Sequence, residues 1–251
     1  MSGDPVIVER HGKVALLRLN RPEARNAINY ALSKAFCESI ESAQDAHCIV
    51  VTGSDPAFCA GLDLRNLGID TLDALPSYSE AIRKSRVPMI AAVNGPAVTG
   101  GFEVALGCDF IIASERAAFA DTHVRVGVFP GPVLVDLPRR VGMAMAREMS
   151  MTGNFVDAAT ALRIGLANHV VSHDKLLPFA MKIAEAIAEQ DKAMIDGMRR
   201  DWDETGTLAF HEAHAAHQAF RTREGIGTRQ GADIAARRET VLARSKEQRG
   251  A

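Results

Sequence analysis

Two stretches of the sequence combine glycine, small side chains and a carboxylate: residues 53–63, GSDPAFCAGLD, and residues 94–103, NGPAVTGGFE. Each follows a short apolar run and leads into the start of a helix. Backbone N–H groups left uncovered there favour an oxygen that carries negative charge. Two such loops on neighbouring strands aim two N–H groups at one oxygen. That is an oxyanion hole, and it suits a thioester or another acyl group. Glu103 stands at the mouth of the apolar run that follows the second stretch. The helix start favours its ionised form and apolar neighbours such as Phe102 oppose it, so the carboxylate is poised to take a proton from water. Taken singly, each loop also reads as a tight turn at a sheet end, and Glu103 as a cap on its own helix amides.

Other reactive side chains form no comparable set. Cys37, Cys48, Cys59 and Cys108 make no CxxC pair and no metal-ligand spacing. They read as free thiols in a reducing compartment, and the cytoplasm is the expected location. Cys59, just before the first loop's glycine, is expected to be a small filler rather than a nucleophile. His211, His214 and His217 lie in HEAHAAHQ, which is H-E-x-H and not the H-E-x-x-H of zinc proteases, so no metal is expected. There is no GxSxG, Walker A or Rossmann fingerprint. The 251 residues are 47% hydrophobic and 24% charged with a net charge of −2, which favours neither nucleic acid nor an anionic membrane. The apolar runs near residues 88–93 and 110–113 are too short to cross a bilayer. The opening MSGDPVIVERHGKV has no apolar core of a secretory signal.

The elements that must position these loops are short and alternating. Residues 6–10 and 14–20 read as strands around the turn at residues 11–13, and residues 31–43 as a helix through Leu32, Phe36 and Ile40. Buried strands are predicted at 48–52, 88–93 and 109–113, a helix at 72–86, and a brief helical stretch at 103–107. Apolar strands alternating with helices indicate βαβ units and a sheet covered on both faces. Beyond residue 140 strand signals nearly vanish apart from 169–172, and residues 176–251 read as helical with charged faces. The predicted division is a core over 1–195 and a helical C-terminal part over 196–251.

AFCAGLDL (residues 57–64) and NGPAVTGGFEVALGCDFIIAS (94–114) resemble the two signature segments of the enoyl-CoA hydratase/isomerase family, the crotonases. FADTHVRVGVFPG (119–131) resembles the third segment, and LNRPEARNAI (19–28) the early CoA-contact segment. EAIAEQ and REGI fit the C-terminal helices. The resemblance covers nearly the whole chain. It implies an α/β fold, a spiral of ββα units with a C-terminal helical trimerisation region, packed as trimers that often pair into hexamers. It implies acyl-CoA substrates and no metal or redox cofactor. Position by position, the N–H groups of Leu62 and Gly100 would hold the thioester oxygen. Ala60, Asp63 and Leu64 would border the CoA, Ala24 and Arg25 would lie near its nucleotide end, and Glu103 would be the first catalytic glutamate.

The chain departs from the family pattern where a second glutamate stands in hydratases, because His123 occupies that position. An imidazole can move a proton near neutral pH but does not copy a carboxylate's geometry. Shaping the pocket wall is therefore favoured over carrying a proton. Pro132 and bulky aliphatics also follow the PG of the third segment, where family members often carry Gly-Gly, and this alters a loop bordering the acyl pocket. Asp136 reads as a surface or ion-pair residue beside Arg139 and Arg140. The expected activity is addition of water to a trans-2-enoyl-CoA. The alternatives are isomerisation, decarboxylation or hydrolysis on the same enolate, or a non-catalytic CoA-binding role.

Overall fold

A computed structural model describes residues 3–63, 65 and 75–225. Val6–His11 (β1) and Val14–Leu19 (β2) pair antiparallel across a two-residue turn. Gly12 turns there with φ +58°. Tyr30–Ser42 (α1) leads to Cys48–Gly53 (β3), Tyr78–Lys84 (α2) to Met89–Val93 (β4), and Gly100–Gly107 (α3) to Phe110–Ser114 (β6). With His169–Val171 (β9) these strands form one sheet in the order β1-β2-β3-β4-β6-β9, parallel from β2 onward. Ala97–Val98 (β5), Ala118–Ala120 (β7) and Val156–Asp157 (β8) form a second, three-stranded sheet.

The parallel strands are apolar throughout because alternate residues feed two different cores. Val14, Leu16, Cys48, Val50, Ile90, Ala92 and Ile112 pack on Leu176–Ala188 (α8). That helix meets them through Leu176, Ala180, Ala184 and Ala188, a step-of-four stripe of mostly small residues that lets it lie close to the strands. The intervening residues Ala15, Leu17, Ile49, Val51, Ala91 and Val93 face the other way and join Leu32, Phe36 and Ile40 of α1, with Phe102 and Phe119. Burying each Leu, Ile or Phe here is worth roughly 1.5–3 kcal/mol.

The strands expected at 48–52, 88–93 and 109–113 are present, shifted by about a residue at their ends. The helix expected over 72–86 is seen as Tyr78–Lys84, with the Ser77 hydroxyl accepting from the Glu80 N–H at 3.2 Å; residues 72–74 lie outside the described residues. The stretch expected at 103–107 is longer, because the helix starts at Gly100. β5, β7 and β8 were not foreseen: strands of two or three residues carry no readable alternation. His123–Val126 (α4), Val133–Val141 (α5), Met143–Thr152 (α6) and Ala158–Arg163 (α7) fill the region between β7 and β9.

The chain falls into two compact units, one ending at Lys192 and one starting at Ala193. Described helices at the start of the second unit are Lys192–Thr205 (α9) and Phe210–Glu224 (α10). They are joined by Arg200–Glu224 at 2.9 Å, by His217–Asp201 at 2.6 Å, and by Phe220 buried beneath the guanidinium groups of Arg200 and Arg223. Residues 226–251, expected to be helical, lie outside the described residues.

One buried side chain ties the β2–α1 connection to the loop after β3. Arg25 and Asn26 are left-handed, with φ of 52° and 56°. The fully buried Asn26 donates from Nδ2 to the carbonyls of Ser54 (2.8 Å), Ala57 (2.7 Å) and Phe58 (3.2 Å), and its Oδ1 accepts from the Arg21 N–H at 2.9 Å. Asn26→Ala strands these groups and loses a residue type tolerant of left-handed backbone. We expect a loss of at least about 2 kcal/mol, seen as a fall of roughly 4–8 °C in Tm. A loss under about 1 kcal/mol by denaturant titration would contradict this account of the loop.

Candidate active site

The loop after β3 is clamped on both sides. Toward β5, Cys59 pairs with Ala97: the N–H groups of Phe58 and Cys59 donate to the Pro96 carbonyl at 3.1 Å each, and Val98 N–H donates to the Cys59 carbonyl at 2.9 Å. Toward the β2–α1 connection, Ile28 N–H donates to the Gly61 carbonyl (2.7 Å), Asp63 N–H to the Ile28 carbonyl (2.9 Å), and Ala60 N–H to the Arg25 carbonyl (3.0 Å). Arg25, with Ala24 just before it, therefore lies beside Ala60, and Ile28 beside the segment from Gly61 to Asp63. Gly61 has φ +88°, and a Cβ on it would meet the Val98 carbonyl at 2.8 Å and the Gly100 nitrogen at 3.5 Å. The two Gly-containing loops are thus in contact.

Within this clamp the N–H groups of Leu62 and Gly100 donate to no backbone acceptor among the described residues. Gly100 opens α3, where N–H groups have no intrahelical partner. A Cβ at Gly100 would press on the Tyr78 hydroxyl at 2.8 Å and Ile28 Cδ1 at 3.3 Å. Gly101 is required by its packing against the Cys59 carbonyl rather than by a turn. The residue before them, Thr99, is held at φ +51°, a strained value for a β-branched residue. Its N–H donates to the Ala120 carbonyl at 2.9 Å and its hydroxyl meets that of Thr122 at 2.5 Å.

Leu62, Tyr78, Gly100, Glu103, His123 and Pro132 line one cavity of about 380 Å³. Glu103, in the first turn of α3, is buried; its Oε2 accepts from the Tyr78 hydroxyl at 2.9 Å and its Oε1 from the Val133 N–H at 3.4 Å. Burial pushes the Glu103 carboxyl above its ordinary value, against the Tyr78 hydrogen bond, the nearby His123 and the Val133 N–H. Burial and the charge of Glu103 push the Tyr78 phenol far up, so it stays a donor. His123 is buried at the start of α4, with Nδ1 2.6 Å from Oδ1 of Asp121, itself fully buried. Burial alone would raise the Asp121 carboxyl, but the hydrogen bonds from His123 and the His123 charge outweigh it and hold it below its ordinary value.

Other expected residues fall into lesser places. Asp63 is buried and paired with Arg21 at 3.1 Å and Arg65 at 3.4 Å, so its carboxylate holds the loop edge. Leu64 lies outside the described residues. Asp136 sits on α5 and does not line the cavity. Burial raises its carboxyl, against the charges of Arg139, Arg83 and Arg140. Burial pushes the Cys59 thiol up to about 12, so it is no nucleophile near neutral pH. His217 pairs with Asp201, and among the described residues no three His, Cys, Asp or Glu side chains gather as a metal site. No described helix is long and apolar enough to cross a membrane. Tyr78, Asp121 and Thr99 were missed from sequence. Asp121 was findable as the carboxylate two residues before His123.

The enoyl-CoA hydratase/isomerase family model matches residues 9–224. A probable enoyl-CoA hydratase of Rhizobium meliloti is 42% identical over 197 residues, covering 75% of this chain and 77% of its own. A crotonyl-CoA hydratase of Syntrophomonas wolfei is 33% identical over 244 residues, covering 89% and 93%. Among solved structures, an enoyl-CoA hydratase from Mycobacterium avium is 42% identical with a TM-score of 0.73, covering 87% of this chain and 98% of its own. A probable enoyl-CoA hydratase/isomerase from Mycobacterium abscessus is 28% identical with a TM-score of 0.83, covering 94% and 96%. The paired loops, the glutamate at the head of α3 and these likenesses agree: the chain has the crotonase fold and belongs to the enoyl-CoA hydratase/isomerase family.

Proposed function

We propose that the protein adds water to trans-2-enoyl-CoA thioesters. The observation that carries this reading is one cavity lined by Leu62, Gly100, Glu103 and His123. The thioester oxygen is held by the free N–H groups of Leu62 and Gly100. Glu103 takes one proton from water while the water oxygen bonds to the β-carbon. The π electrons move toward the thioester oxygen, where the two N–H groups stabilise the enolate. Glu103 then gives its proton to the α-carbon and is restored, so one water has been added and nothing else consumed. The water's remaining O–H is accepted by His123. A working role for His123 is favoured over the wall role because a buried carboxylate holds its ring. No group beyond thioester, water and side chains enters the scheme.

We assign the CoA to the edge formed by Ala24, Arg25, Ala60 and Asp63, and the acyl chain to the side bearing Pro132. A trimer or a hexamer is the proposed assembly. Supporting it, the first unit exposes Phe129, Met151 and Phe155, and the second exposes Trp202 and Phe210. The mass in solution is then three or six times 27.0 kDa. A monomer by light scattering would reject the assembly.

The activity test is loss of enoyl absorbance with crotonyl-CoA and longer trans-2-enoyl-CoAs. Glu103→Gln should lose roughly 10²–10⁴ in kcat. A wild type stabilised by CoA that turns over no thioester would instead make the protein a CoA-binding module. Conversion of crotonyl-CoA's longer homologues to 3-enoyl products would make it an isomerase.

The pH profile tests the state of Glu103. The base must be ionised, and its carboxyl is raised, so kcat/KM should fall toward acid with a midpoint above 4.5. Tyr78→Phe removes a hydrogen bond that favours the ionised form. The acid limb should therefore move to higher pH. A limb that stays put or moves lower would show that Tyr78 does not act on Glu103.

A further inference from the structure

We infer that Asp121 is a positioning residue of this site: by accepting the Nδ1–H of His123 it fixes the ring tautomer that leaves a bare Nε2 as an acceptor for the water. The inference rests on the hydration reading and adds a residue to it. Asp121 follows β7 and His123 opens α4, so one turn carries both. The Nδ1–Oδ1 distance is 2.6 Å, and the His123 N–H also points to that oxygen at 3.4 Å. Asp121 has no exposed surface, and among the described residues no Lys or Arg pairs with it. A carboxylate only accepts, so the proton between the two groups belongs to Nδ1. In the neutral imidazole Nε2 is then bare, and no described side chain occupies it.

Two further observations separate this from ordinary packing. An amide would accept the same N–H without burying a charge, so a carboxylate here is a costly choice for structure alone. The turn is also registered to the oxyanion loop, since the Thr122 hydroxyl meets that of Thr99 at 2.5 Å, one residue before Gly100. Among the described residues, the other ionisable groups facing this space are Glu103 and Tyr78. Water held between Glu103 and Nε2 has both protons engaged, which turns an oxygen lone pair toward the β-carbon.

The test begins with the substrate-free protein labelled with ¹⁵N-histidine, with the His123 signal assigned by its loss in His123→Ala. Long-range ¹H–¹⁵N spectra should show the Nδ1–H tautomer; an Nε2–H tautomer overturns the inference, whatever the activity. In kinetics, Asp121→Asn should lower kcat at least about tenfold with KM within about twofold. Adding Asp121→Asn to His123→Ala should cost nothing further, because both changes remove one function. Losses that multiply would overturn the inference. If Asp121→Asn does not fold, the wild-type tautomer decides. An Nδ1–H tautomer in a protein that hydrates no enoyl-CoA would sink the hydration reading and leave the Asp121–His123 assignment standing.

Discussion

The short bridge between Cys59 and Ala97 joins two pieces of chain that leave different strands, β3 and β4. The hydrogen bonds from Phe58, Cys59 and Val98 hold those pieces at fixed register. The register decides where Leu62 and Gly100 present their N–H groups. A slip of one residue would turn the wrong N–H toward the cleft, because neighbouring peptide groups along an extended segment point in opposite directions. Much of the surrounding sequence serves this bridge. Gly101 has no side chain because Cys59 lies against it. Asn26 spends its amide on the carbonyls that precede Cys59. Thr99 accepts a positive φ so that β5 can end and α3 begin within one residue.

The same packing sorts the two buried carboxylates of the cleft. Glu103 has a phenol and the Val133 N–H in direct contact, and desolvation still wins, so its carboxyl rises. Asp121 has the imidazole in direct contact, and the contact wins, so its carboxyl falls. A carboxyl pushed up by its surroundings binds a proton more tightly and is suited to taking one and handing it on. One pushed down stays an acceptor. The difference comes from neighbours, since both side chains are buried.

The strands β2, β3 and β4 were legible because both of their faces are covered, which makes their sequences continuously apolar. The two loops stood out because they carry glycine and small residues at spacings a plain turn does not need, and within them Leu62, Gly100 and Glu103 were named from the resemblance to the family's signature segments. The second sheet was not legible. β5 and β8 have two residues each, and their pairing is dictated by the loops they belong to. Tyr78 was not legible as a site residue either. It sits in a short helix whose pattern reads as ordinary, and only the tertiary fold brings its hydroxyl to Glu103. The helical reading of residues 226–251 and the place of Leu64 belong to segments outside the described residues.

His123 marks the limit of reading one residue at a time. Viewed alone it is an imidazole where a carboxylate was expected, and the wall role follows. Viewed with Asp121 it is half of a pair whose outer end is a carboxylate and whose inner end, as inferred above, turns a bare Nε2 to the cleft. Such a pair offers the cleft a lone pair without placing a second negative charge beside Glu103. Two bare carboxylates in one small cavity would raise one another's affinity for protons. An imidazole between carboxylate and cavity weakens that repulsion to a minor push on Glu103, and the buried Asp121 keeps its charge one ring farther from the reacting carbons.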